Sequence, residues 1–333
     1  MASKWEFEAK SSEKFSVAGV IYALVVLVGD GIQPILRHAV PDDVNNLLFT
    51  WFASLVEFGA LIPIIIIAKR TNRRSQVKLK HPIFSKGQII GRLVVIGVIF
   101  AVCGYLLLYG LNEVDSVTGI LAIKTQPISM IFIGYFMLGE RVNYKEILCS
   151  LMLILGAIYV ASDGTMNLAD MSEAVFILLI IPIFWNIGHA LAKPLIKSGT
   201  LTVTELVFGR IGFVTLFLTL FYLGIQQGTD FSQIFNVQYV LPMVALGLLW
   251  LMLHLCWYAG VKRLKLSVIS SIVVPTPLVT AVLSFLFENE RLYYYHFIGM
   301  AIEIFGLYGL VYLQKASNMK KNHKILDQRN QNK

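Results

Sequence analysis

Residues 126–147 read QPISMIFIGYFMLGERVNYKEI, and residues 276–297 read TPLVTAVLSFLFENERLYYYHF. Aligned without a gap, they set Pro127, Glu140, Arg141 and Tyr144 over Pro277, Glu290, Arg291 and Tyr294. Further on, Gly156 falls over Gly306. The offset is constant, since 277 − 127 and 306 − 156 both equal 150. A second pairing, at an offset of 156, sets Asp30, Gln33 and Arg37 over Asn186, His189 and Lys193. Steps of three and four put each trio on one helical face. The chain reads as two copies of one unit.

Outside these stretches the chain is apolar almost throughout. Of its 333 residues, 56% are hydrophobic and only 14% charged, and mean hydropathy is +0.70. A soluble domain carries roughly a quarter charged residues to solvate its surface, so this surface is read as facing lipid. Crossing about 30 Å of hydrocarbon takes roughly 20 apolar residues in a helix. Cutting at charged and turn-rich clusters gives ten such runs, beginning near Phe15, Asn45, Gly87, Val117, Tyr144, Ser172, Val203, Gln238, Ser267 and Tyr295. The runs are continuously apolar instead of alternating, which selects helices over a barrel. The first run is too long for a signal peptide and lacks a small-residue cleavage pattern, so it is expected to remain as the first span.

Five spans per copy is an odd number, so the second copy must enter the membrane upside down. Loop charge agrees. Asn112, Glu113 and Asp115 of the first copy correspond to Lys262, Arg263 and Lys265 of the second. Basic residues also gather between Lys69 and Lys86, at Lys145, at Lys193 and Lys197, and in the last twenty residues, which places these segments in the cytoplasm. The opposite loops are acidic or neutral, apart from Arg37-His38 and Arg291. The expected fold is all-α integral membrane, with ten transmembrane helices as two inverted five-helix repeats and both termini cytoplasmic. The divisions are a tail over 1–14, repeats over 15–162 and 163–314, and a basic tail over 315–333.

The unit PISMIFIGYFMLGERVNYKEILCSLMLILGAIYVA and its partner PLVTAVLSFLFENERLYYYHFIGMAIEIFGLYGLV resemble the EamA-type branch of the drug/metabolite transporter superfamily. The shared features are a mid-helix proline, a Gly-Glu-Arg-like loop, and a following helix with glycine where helices pack. The resemblance covers nearly the whole chain. It implies a ten-helix inverted-repeat fold, a central cavity lined by both halves, and transport of small organic solutes. Two positions depart from the pattern: Gly29-Asp30 stands where the family often has Trp-Gly, although Trp185-Asn186 keeps the tryptophan, and Asn289 stands where the first copy has Gly139.

Ionisable groups inside a span are costly and usually face a cavity or a partner. Those here are Asp30, Glu57, Lys124, His189, Arg210, His254 and Glu303. Lys124, with Gln126 beside it, precedes Pro127, and two roles are open to it: binding a carboxylate or phosphate of the substrate, or pairing with Glu57 or Asp30. Asp30 with Gln33, and Trp185, Asn186 and His189, form matched faces that either line a cavity or bond helix to helix. Trp250, His254, Trp257 and Tyr258 share one face of the eighth helix, suited to stacking on a planar or cationic solute or to ordinary packing and an interfacial belt. His254 is also a candidate for proton coupling. Arg210 either joins the cavity or pairs with Glu205. Glu303 marks a helix contact or a dimer face, so a homodimer is among the expectations. Pro275 and Pro277 break the ninth helix as Pro127 breaks the fourth, and such breaks are tolerated where backbone faces protein or water.

The six histidines are scattered, and no HxxxH pair, Ser/His pair or paired aspartate marks a catalytic centre. Cys103, Cys149 and Cys256 form no motif, so neither disulfide nor metal site is expected. The net charge of +8 follows the loops, which argues against nucleic acid as a partner. The expected activity is transport of a small polar or zwitterionic metabolite across the cell membrane, without a cofactor. Amino-acid-like, nucleoside-like and drug-like solutes all fit, as does exchange of S-adenosylmethionine or a nucleotide metabolite. A membrane receptor or scaffold is the alternative from another class.

Overall fold

Apolar runs long enough to pair their own backbone form the helices of this chain, and polar, capping residues mark where several of them begin. The computed structural model describes residues 16–313 apart from 42, 73–83, 127, 130–132, 134–143, 226–230, 265–268, 270–271, 274 and 310–311. Pro127, the Glu140-Arg141 signature, most of the basic stretch after Arg70, Lys265 and both tails lie outside the described residues. Among the described residues the structure is helical, with no strand. In order come α1 (Val17–His38), α2 (Asn46–Asn72), α3 (Lys86–Asn112), α4 (Ser116–Ile123) and α5 (Tyr144–Ala161). There follow α6 (Glu173–Lys197), α7 (Val203–Ile225), α8 (Val237–Arg263), α9 (Thr276–Phe287) and α10 (residues 294–309). Side chains cap the starts: Ser85 forms a capping box with Gln88 on α3, Asp115 accepts from Thr118 on α4, and Ser172 accepts from Ala174 on α6.

Helix length repeats with the sequence. Among the described residues, six helices are long and apolar enough to cross a membrane: α1, α2, α3, α6, α7 and α8. They are the first three of each five. α4 stops at Ile123 with a turn at Lys124 and Thr125, and α9 begins only at Thr276, with Pro275 as its cap and Pro277 in its first turn. Proline is tolerated there because the first-turn amides have no partner within the helix.

Packing repeats as well. α1 packs on α8 and α9, and α6 packs on α3 and α4. α2 meets α8 and α3 meets α7, while α2 meets α7 and α4 meets α9. Exchanging every helix for the one five places along leaves this set of neighbours unchanged. Direction is exchanged too. At one end of the bundle the His38 ring at the end of α1 bonds Glu288 past the end of α9 (3.0 Å), the Leu111 carbonyl of α3 (2.6 Å) and Ser116 at the start of α4 (3.0 Å). Asn45 donates to Gln233 ahead of α8, and the Tyr239 hydroxyl donates to Asp43. At the other end, Gly19 at the start of α1 lies against Leu264 past α8, and Arg92 near the start of α3 donates to the Leu191 carbonyl late in α6. α1 and α3 therefore end where α8 begins, and α6 and α8 end where α1 and α3 begin.

Arg37 and His38, exceptions to the loop-charge pattern, are clasps and not loop charges. Arg37 is fully buried; it donates to the Leu108 carbonyl and to Asn46 and Asn112, with Phe49 under its guanidinium. Large apolar side chains such as Val17, Ile21, Leu24 and Val28 on α1, or Leu220 and Leu223 on α7, stand on the outside. In water such a surface would aggregate; in a bilayer it is solvated by lipid.

α5 and α10 cross through glycine. A Cβ on Gly156 would stand 2.9 Å from the Gly299 carbonyl, and one on Gly306 would stand 2.8 Å from the Cys149 carbonyl. These are two views of one crossing, since 306 − 156 and 299 − 149 both equal 150. Backbone cannot yield as a side-chain tip can. Gly306→Val is therefore expected to destabilise the protein by about 1–3 kcal/mol, read as a lowered thermal midpoint in detergent; an unchanged midpoint would contradict the close crossing. Glu303 sits in this contact, 3% exposed, with its Cγ 2.7 Å from where a Gly156 Cβ would be. It marks a helix contact and not an outer dimer face.

The departure at Asn289 has a backbone cause. Asn289 has φ of 53°, and the chain closes α9 with Glu290 donating to the Ser284 carbonyl. Asparagine is among the few side chains that adopt this left-handed conformation readily, which is why it can occupy the position that holds glycine in the first copy.

Candidate functional site

Between the two sets of helices lies a cleft lined by both copies. α1 contributes Val26, Asp30 and Gln33, α2 contributes Thr50 and Glu57, and α3 contributes Phe100, Gly104 and Leu107. From the second copy come Trp185 and His189 on α6, Arg210, Ile211, Val214 and Leu218 on α7, and Trp250, Leu253, His254 and Trp257 on α8; Gln126 completes the lining. A small recess shares Asp30, Gln33 and Trp185 and adds Lys124. The pattern of long helices explains the composition, because α1–α3 and α6–α8 each present one wall.

Two polar chains cross the cleft. In the first, Lys124 Nζ lies 2.7 Å from Asp30 Oδ2, Asp30 Oδ1 accepts from Gln33 at 3.1 Å, and Gln33 Oε1 accepts from the Trp250 indole at 2.9 Å. Of the partners open to Lys124, Asp30 is the one found. The break after α4 makes this geometry: Lys124 ends the helix, and Thr125 closes the turn on the Ala122 carbonyl. The second chain runs from Glu57 through His254 to Arg210 and Tyr258. Glu57 Oε1 is 2.5 Å from His254 Nδ1, and Arg210 Nη2 is 2.8 Å from His254 Nε2. Arginine has only donors, so Nε2 accepts and the ring proton sits on Nδ1, donated to Glu57. His254 is thus a neutral bridge between a carboxylate and a guanidinium. Arg210 Nη1 reaches the Tyr258 hydroxyl at 3.4 Å, and that hydroxyl lies 3.3 Å from His189 Nδ1. Phe100 lies under the guanidinium, 3.6 Å from its carbon.

Asn186 and Tyr258 are buried behind the lining and hold neighbours in place. Asn186 donates to the Gln126 carbonyl (2.9 Å) and to Ser129 (2.6 Å), and accepts from the Gln126 amide (3.0 Å), tying the broken fourth helix to α6. Tyr258 is 1% exposed, which removes it from any interfacial belt. Glu205 does not pair with Arg210. It accepts from the Thr202 amide and hydroxyl, both at 2.9 Å, and so caps α7. Sequence reasoning singled out Glu57 as an ionisable group in a span without assigning it to the cleft. Phe100 carried no signal at all, being one of 21 phenylalanines.

Formal charges in the cleft and recess are Lys124 and Arg210 against Asp30 and Glu57. They sum to zero. Each cation sits within a hydrogen-bonded chain that spans both copies.

One further cluster lies at the end where α4 begins. Carboxylate oxygens of Asp115 and Glu290 and a ring nitrogen of His296 lie within 4.8 Å of one another, a spacing compatible with a metal ion. His296 Nδ1, however, accepts from the Tyr293 amide at 3.1 Å. The proton of the neutral ring is then on Nε2, toward Asp115, so the ring donates where a ligand must accept. The group fits a shared proton better than a metal. Burial, followed by the neighbouring Asp115 carboxylate, raises Glu290 from 4.5 to about 8. A carboxyl whose folded value is raised binds its proton more tightly in the folded state, so stability falls as pH rises between 4.5 and about 8. Glu290→Gln is expected to flatten that fall in a thermal-midpoint series; an equally steep fall in the variant would assign it to another group.

The comparisons with known proteins agree with this architecture. A model of the EamA-like transporter family matches residues 17–162 and again 172–312. An uncharacterized transporter of Methanothermobacter thermautotrophicus is 27% identical over 124 residues, or 36% of each chain. The uncharacterized transporter YetK of Bacillus subtilis is 26% identical over 223 residues, 65% of each chain. The chain thus spans about a third and just under two thirds of these relatives' own lengths. A solved crystal structure, 13% identical, shares the fold with a TM-score of 0.63 over 91% of this chain and 99% of that one. With the family matched twice, once in each copy, the chain is a multi-pass membrane protein that belongs to the EamA-like transporter family.

Proposed function

We propose that this protein carries a small polar or zwitterionic organic solute across the cell membrane by alternating access. The observation that carries the reading is the charge-neutral cleft whose walls come from both copies. Exchange of helix directions between α1–α3 and α6–α8 supports an inverted arrangement of two five-span repeats, with ten spans in all and both termini in the cytoplasm. Two inverted halves of similar energy can trade shapes, so a site between them opens to each side in turn. The broken helices α4 and α9 meet each other, which suits a place where backbone moves. A cleft holding two cations and two carboxylates suits a solute whose own charges cancel.

The test is counterflow in proteoliposomes. Purified protein is first screened by thermal shift against amino acids, nucleosides and amphiphilic amines, and stabilising compounds are then loaded inside. Saturable uptake of the same labelled compound is expected. Stabilisation without flux for every hit would move the protein from carrier to receptor.

A further inference from the structure

We infer that Arg210 and Trp257 form a docking point for the carboxylate of the solute, a reading that rests on the transport proposal and narrows its substrate class. Arg210 is 2% exposed and lines the cleft. Among the described residues it makes no ion pair, because its neighbours are the neutral His254 ring, the Tyr258 hydroxyl and the Phe100 face. Its Nε–H is buried and has no hydrogen-bond partner. The same holds for the indole N–H of Trp257, which lines the same cleft. Trp257 stands beside His189, ring centres 5.2 Å apart, and His189 stands against Tyr258, which contacts Arg210.

Two buried donors without an acceptor, one of them charged, thus belong to side chains that line one cleft. A buried donor without a partner costs about 1–3 kcal/mol, more when charged, so the guest that removes this cost brings an acceptor. A carboxylate accepts only, has two oxygens, and supplies the negative charge Arg210 lacks. Lys124 is a poorer host, since Asp30 already holds it at 2.7 Å. Charge selects further. A bare carboxylate would leave the cleft at −1, whereas one carried by a zwitterion keeps the sum at zero. Its ammonium has the Trp185 and Trp250 rings in the same lining, where a cation can stack on an indole face.

The test compares matched probes by thermal shift on the full-length protein: leucine and phenylalanine, their amides, their N-acetyl derivatives, and inorganic phosphate. The expected result is stabilisation by the amino acids and little by the amides. In Trp257→Phe, which keeps a ring and removes the N–H, the midpoint concentration for amino acids is expected to rise about tenfold, as for one hydrogen bond to a charged group. The assignment is overturned if amides stabilise as well as acids, if no carboxylate stabilises, if phosphate alone does, or if Trp257→Phe leaves the midpoint unchanged. The two proposals fail separately. Amide or amine flux without carboxylate binding removes the docking point and keeps transport, whereas carboxylate binding without counterflow does the reverse.

Discussion

Arg210→Gln is expected to abolish carboxylate-dependent flux while leaving the protein folded. Removing the guanidinium takes away the cation that a carboxylate would meet, and the loss of a buried charged contact is worth about 3–5 kcal/mol, or a hundredfold and more in affinity. The fold should survive because no carboxylate depends on Arg210 directly: Glu57 keeps the His254 Nδ1–H. Arg210→Lys is expected to rescue little, since an ammonium cannot reach His254, Tyr258 and a guest at once as the fork does. Counterflow and thermal midpoints read the two effects apart. A variant that unfolds, or one that transports normally, would each deny Arg210 this role.

The pair Asp30–Lys124 carries the second large effect, and here the expectation is non-additive. Asp30→Asn leaves Lys124, 8% exposed, without a counter-charge, and Lys124→Gln leaves the half-buried Asp30 without one. Each single change is expected to cost about 3 kcal/mol. The double change removes both charges and is expected to cost less than either single one. Thermal midpoints of the four proteins measure the coupling. Additive losses would mean that the 2.7 Å contact contributes nothing of its own.

The architecture was legible because lipid imposes a coarse code. Apolar runs of spanning length, a constant offset of 150 and inverted loop charge at 112–115 and 262–265 are all one-dimensional signals. The cavity was partly legible for a related reason: a charge inside a span is rare, so Asp30, His189, Arg210 and His254 announced themselves, and all line the cleft. Pairing was not legible. Glu205 stands five residues before Arg210, yet the Thr202 cap claims it, a choice made by local geometry at the helix start. Nor could sequence tell Asn186 from Gln33, which share a polar face pattern across the repeat. One braces the fourth helix and the other lines the cleft, and only packing separates them. Arg37 shows the converse, a charge that looked like an exposed loop residue and is wholly buried because α2 and α3 supply its acceptors.

Alternating exposure of the cleft is most directly tested with a single cysteine at Val214, which lines it from α7, after Cys103, Cys149 and Cys256 are replaced by serine. Oriented vesicles are treated with a membrane-impermeant thiol reagent from one side or the other. Two inverted halves that open by turns predict labelling from either side, slowed by a transported solute. Labelling from one side only, with and without solute, would contradict them.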